Sequence, residues 1–135
     1  MNAKALKSIN VKPSEYKAHF IKAKDFFEGM KLSEEKALWH SVGLNAVHCA
    51  ISLSDALTIY HLSKRFSGED HRQAFELLSR VPGHEIQQQA VLFHKILSKK
   101  HMIAYEEREF RQSEAIEIVK QVKRFYQWAQ AFLPQ

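Results

Sequence analysis

An all-α fold, an antiparallel up-and-down four-helix bundle with an additional short helix, is what this sequence predicts. Three observations carry it. Residues that cost little in a helix are abundant, and only four Gly and three Pro occur in 135 residues. Apolar side chains recur at three-to-four spacing in several windows, and no window alternates with period two for long enough to make a strand. Turn signals separate those windows by short gaps, which makes successive helices antiparallel neighbours.

Pro13 and Ser14 open the first helix, Ser14 placed to cap it and Glu15 set against the positive end of its dipole. Tyr16, Phe20, Ala23 and Phe27 form its buried stripe, and Gly29 is its expected end. Ser33 is placed to cap a second helix with Glu34 and Glu35 in its first turn; apart from Gly43 no breaker appears before Ser67 and Gly68. Two stripes run along it, one through Leu38, Val42, Ala46, Cys49, Leu53, Leu57 and Tyr60, the other through Leu44, Val47, Ile51, Ile59 and Leu62. A helix apolar over so wide an arc is covered on several sides, so it is the central one.

A short third helix fits residues 69–80 with Phe75, Leu77 and Leu78 inward, closed by Val81, Pro82 and Gly83. The fourth runs from Ile86 toward Tyr105 and shows Ile86, Ala90, Phe93 and Leu97 on one stripe, with Leu92 and Ile96 beside it. Ser113 is placed to cap the last helix, Glu114 and Glu117 lie in its first turns, and Ile118, Val122, Phe125, Ala129 and Phe132 form its inner face before Pro134 stops it. The chain is thus read as one helical domain over residues 1–135, with residues 1–12 a flexible N-terminal segment.

Composition narrows the function classes. A net charge of +5 speeds encounter with polyanions without specifying one. The one cysteine, Cys49, falls in an apolar helical pattern and reads as a buried thiol of a reducing compartment. The opening residues lack an apolar signal segment, and the longest uncharged stretch, residues 41–54, is interrupted by Asn45 and His48, so a cytoplasmic chain without a membrane span is expected. Eight histidines invite a metal, yet none are paired at i, i+3 or i, i+4, and no metal or cofactor is expected. Glycine-rich phosphate loops, nucleophile elbows and paired Cys-x-x-Cys are absent from the sequence. The adjacent acids Glu34 and Glu35, Glu69 and Asp70, Glu106 and Glu107 diverge by about 100° on a helix, which suits helix-end charge better than a shared proton.

What remains is the polar run 98–111 with Lys99, Lys100, His101, Tyr105, Arg108 and Arg111. Basic residues at a helix C-terminus complement the dipole without any ligand. Alternatively Lys100 and Tyr105 offer a cation and a hydroxyl to a phosphate at a frayed helix end.

Residues 97–132, LSKKHMIAYEEREFRQSEAIEIVKQVKRFYQWAQAF, resemble the HEPN superfamily of small helical-bundle domains, with Ala115, Glu117, Val122, Phe125 and Trp128 echoing its final helix. The resemblance implies either a metal-independent ribonuclease, usually dimeric, or an inactive relative that binds RNA or partners a nucleotidyltransferase. The family's arginine falls on Lys100 and its histidine on Tyr105. Lysine lacks the bidentate guanidinium fork, and a tyrosine hydroxyl is a poor base at neutral pH. The expectation is therefore a HEPN-like non-catalytic binding module that contacts RNA, a nucleotide or a partner protein such as a nucleotidyltransferase through Lys99, Lys100, Tyr105, Arg108 and Arg111. The alternative is a toxin-like ribonuclease using Lys100 and Tyr105 or His101, as in toxin–antitoxin pairs. A homodimer is expected too, because the apolar arc of the long helix and the aromatic Phe125, Tyr126, Trp128 and Phe132 exceed what four neighbours readily cover.

Overall fold

The structure, a computed structural model, describes residues 6–135. It is mostly helical, with one small sheet that the sequence reading does not foresee. In chain order come β1 (Ser8–Asn10), α1 (Tyr16–Glu35), α2 (Trp39–Leu62), β2 (Lys64–Phe66), α3 (Ala74–Leu78), α4 (Ile86–Leu97), α5 (Lys100–Tyr105) and α6 (Gln112–Ala131). Single 3-10 turns at Pro13–Glu15 and His71–Gln73 lead into α1 and α3.

The expected boundary between the first two helices is wrong, and its cause is Gly29. Rather than ending a helix, Gly29 lies inside α1 where α2 comes close, and a Cβ there would stand 2.8 Å from Asn45 Oδ1. The glycine gives up about 1 kcal/mol of helix propensity and leaves room for the Asn45 side chain. Ser33 caps nothing; it sits in the last turns of α1, and its hydroxyl meets that of Ser41 at 2.8 Å. The turn itself is residues 36–38, with Ala37 in the left-handed region at φ 58°. Such a short connection folds α1 and α2 into a packed antiparallel pair.

At its far end α2 stops at Leu62, five residues before Ser67. Ser63 turns left-handed (φ 56°), its N–H bonding back to Ile59 at 3.0 Å, and the chain leaves as β2. That strand pairs antiparallel with β1 in the register Ser8 to Phe66, Ile9 to Arg65, Asn10 to Lys64. The flexible segment expected over 1–12 is therefore corrected from Ser8 on; residues 1–5 lie outside the described residues. Three-residue strands are too short for alternation to register against a helical background.

The long fourth helix is two. The chain tightens at Ser98, whose hydroxyl donates to Lys95 O at 2.6 Å, and Lys99 N–H reaches back three residues to Ile96 O at 3.2 Å, after which α5 sets off anew. The last helix starts one residue before Ser113, and its N-terminal N–H, on Arg111, is taken by Glu114 Oε1 at 3.0 Å. Ser14 likewise makes no capping bond, although Pro13 does open the turn before α1.

The core is organised around α2, which packs against α1, α3, α4, α5, α6 and β2. Every residue of 52–59 is buried, two helical turns enclosed on all sides. By length and composition α2 would pass for a membrane span, but 72% of its apolar window is buried inside the molecule. Onto α2 pack the stripes expected on α4 (Ala90, Phe93, Ile96, Leu97) and α6 (Ile118, Val122, Phe125, Ala129), all buried. Each such large side chain stabilises by roughly 1.5–3 kcal/mol on leaving water. The Trp128 indole N–H donates to His84 O at 3.2 Å, and Tyr126 stacks on Phe27 of α1 at 4.0 Å between ring centroids. The aromatic face from which a dimer was expected is thus covered largely by the chain itself.

Candidate functional site

Two short elements meet over the end of α4 and leave a cleft of about 650 Å³ between them. One wall is residues 69–72, entering the turn before α3; the other is Leu97, Ser98 and α5 with Glu106. Of the residues expected from the sequence, Lys100, His101 and Tyr105 line this cleft. Tyr105 is 74% exposed, and its ring lies 5.6 Å from that of His101, so the pair forms an open aromatic edge. Lys100 is half-buried and, among the described residues, forms no ion pair. Lys99 sits at the turn between α4 and α5, outside the cleft lining.

The arginines lie elsewhere. Arg108 holds Glu114 through both terminal nitrogens, NH1 reaching Oε1 at 3.3 Å, and also contacts the Met102 sulfur. That guanidinium, with the Arg111 N–H, keeps the Glu114 carboxyl below its ordinary range. Arg111 lines a second depression with Trp39, His40 and Phe110, where α2 and α6 begin. Close in sequence, the basic residues of 98–111 thus face four different surroundings.

The opposite wall holds residues whose spacing gives no signal. Asp70 and Arg72 are locked together, Nε to Oδ1 at 3.1 Å and NH2 to Oδ2 at 2.9 Å, while Asp70 Oδ1 also caps the Arg72 N–H at 3.0 Å. The Arg72 bonds lower the Asp70 pKa, so the pair is a neutral unit on the rim. Between them His71 packs edge-on to Phe66, and its Nδ1 is buried without a hydrogen-bond partner among the described residues. Burial, then Lys100 and then His48 push the His71 pKa down; burial and then Lys100 do the same to His48. Lys100 is therefore a charge that both half-buried imidazoles sense.

α5 is held in place from below. Ile103 and Phe110 press on α2 at Gly43, where an added Cβ would stand 2.8 Å from Ile103 Cδ1 and 2.9 Å from Phe110 Cε2. The Phe110 N–H donates to His40 Nε2 at 3.1 Å. Gly43, read from sequence only as a tolerated interruption, is what lets the cleft wall dock.

Elsewhere the titratable groups are structural. Burial raises the Cys49 thiol to about 12, which leaves essentially no thiolate at neutral pH. Among the described residues no three His, Cys, Asp or Glu side chains converge as a metal site. Comparison of the chain with protein-family models, with curated proteins and with solved structures finds no match.

Proposed function

We propose that this chain is a HEPN-like, cytoplasmic, non-catalytic binding module whose cleft takes a nucleotide, free or as part of an RNA. In this reading α1, α2, α4 and α6 are the four bundle helices, and α5 with residues 106–111 is the family landmark. The observation that supports it most is the placing of half-buried Lys100 and exposed Tyr105 on one concave surface. A phosphate needs a cation with few competing partners, and a base needs an exposed aromatic face. A volume of about 650 Å³ suits one small ligand. Tyr105 and His101 are exposed, without a partner that would activate either as a base, which favours binding over cleavage.

The test is binding of labelled single-stranded RNA and of mononucleotides by wild type, Lys100→Ala and Tyr105→Ala. Each change is expected to weaken binding about tenfold, and Lys100→Ala to reduce the salt slope by about one. Unchanged affinity and slope in both variants would remove the cleft as the site. RNA cleavage in the presence of chelator, lost in Lys100→Ala and Tyr105→Phe, would replace the module by the ribonuclease.

The same reading carries a homodimer and a nucleotidyltransferase partner. With the aromatic face of α6 largely covered, a dimer would use the exposed Ile21, Leu32, Leu38, Val91 or Ile116. Light scattering at about 100 µM is expected to give twice the chain mass, since interfaces of ordinary size hold at micromolar concentration or better; a single chain mass would end the dimer.

A further inference from the structure

Resting on the nucleotide reading, we propose that the cleft selects a terminal phosphate monoester, as on a mononucleotide or a phosphorylated RNA end, over the internal diesters of a continuous strand, with His71 beside Lys100 as the contact that reads it. Three features of the cleft carry this.

The first is the His71 ring. Its Nδ1 is buried with no partner among the described residues. An unpaired N–H in that position costs more than an unpaired lone pair, so the neutral ring carries its proton on Nε2. His71 lines the cleft, and Nε2 is the nitrogen left to serve a ligand as donor. This residue and Lys100 come from opposite walls, so a phosphate between them is gripped from two sides.

The second is the store of charge nearby. Lys100, His71 and His48 lie close enough for the ammonium to hold both imidazoles toward neutrality, with Asp70 and Arg65 as the other charges felt by His71. An incoming dianion reverses that balance and favours protonation of an imidazole. A monoester carries about −1.5 to −2 at pH 7 and can use a second positive charge; an internal diester carries only one negative charge.

The third is the rim. Glu69 stands exposed on one wall and Glu106 on the other, while Asp70 is already neutralised by Arg72. A strand continuing out of the cleft on both sides would carry its next phosphates past these carboxylates. One phosphate at the end of a ligand avoids them, because like charges brought together are unfavourable.

The experiment compares one short RNA with a 5′-phosphate, with a 3′-phosphate and with hydroxyl ends, together with a mononucleotide, on wild type, His71→Phe, His71→Gln and Glu69→Gln/Glu106→Gln, each checked for folding by circular dichroism. At least one phosphorylated end is expected to bind about tenfold or more tightly than the hydroxyl-ended strand. That preference should vanish in His71→Phe, persist in part in His71→Gln, which keeps an N–H donor, and narrow in the double variant as the hydroxyl-ended strand gains. Should His71→Phe fail to fold, the Gln and double variants carry the decision. Equal affinity for phosphorylated and hydroxyl-ended strands overturns the inference and leaves the nucleotide reading standing. Absence of binding by every ligand overturns both.

Discussion

Phe110→Ala is expected to cost about 3–5 kcal/mol and to loosen the cleft wall along with the core. Phe110 lies in the connection between α5 and α6, where an exposed loop residue would ordinarily be found, yet its side chain is 2% exposed. The ring presses on Gly43 next to Ile103, and the backbone N–H is held by His40. Truncation therefore leaves a cavity at the joint between α5 and α2, and Phe→Ala cavities fall in that energy range. For a chain of this size the melting temperature should drop by roughly 10–15 °C. Amide exchange then separates a general loss from a local one: protection of residues 100–111 should fall more than that of α1 or the centre of α2. Ligand binding through Lys100 and Tyr105 should weaken with it, since both ride on the element that Phe110 anchors. A cost below 1 kcal/mol would mean that the ring is not seated in the core and that α5 is held by something else.

Why the sequence gives the packing faces but not the breaks follows from what each signal depends on. The stripes of α4 and α6 are periodic, and most of their residues are buried while Ile86, Leu92 and Phe132 at the edges are only partly so, because a helix face must be apolar wherever it meets a neighbour. Gly29 and Ser33 mislead because local propensity favours a stop and a start there, whereas the close contact with Asn45 and the Ser33–Ser41 hydrogen bond decide the outcome from another helix. The break after Leu97 has no Pro or Gly to announce it. It is imposed by the docking of Ile103 on α2, a contact some sixty residues away in sequence. The two strands are too short to carry a pattern at all.

The candidate site is legible to the same degree and for the same reason. Lys100, His101 and Tyr105 follow one another along α5, so the helix keeps them together. Arg108 and Arg111 do not join them, because the chain turns after Tyr105 and Glu114 draws the Arg108 guanidinium to the start of α6. His71 could not be found by spacing: it shares a cleft with Lys100 only because the turn before α3 packs on α4. Asp55, an acidic residue within the apolar run of α2, is not marked out by the sequence reading, and only the fold shows how deeply it is buried.

Asp55→Asn is expected to stabilise the protein at pH 8 by about 2 kcal/mol and to leave it nearly unchanged at pH 5. Asp55 lies within the fully enclosed residues 52–59 and is 9% exposed. Its nearest ion partner, His19 Nδ1, is 3.9 Å away, beyond hydrogen-bonding reach. Burial pushes the carboxyl up to about 7 despite the opposing pull of Arg65 and Lys22. In the unfolded chain the same group titrates near its ordinary 3.8. Between about pH 4 and 7 the native state thus keeps a proton that the unfolded state has released. Stability from this group is complete below about pH 4, falls as pH rises through that window and levels off above it. A displacement of that size corresponds to about 4 kcal/mol at most, and the amide left without a partner takes back part of what the variant gains. His19 works in the opposite sense. Burial and then Lys22 hold its pKa down, so its contribution is lost as pH falls below its ordinary 6.5, and just below that pH the two slopes oppose each other and flatten the profile. Urea unfolding at pH 5, 6.5 and 8 measures both. A variant that is weaker than wild type at pH 8 would show that Asp55 is ionised in the folded protein, held by His19, Arg65 and Lys22 as a buried charge cluster.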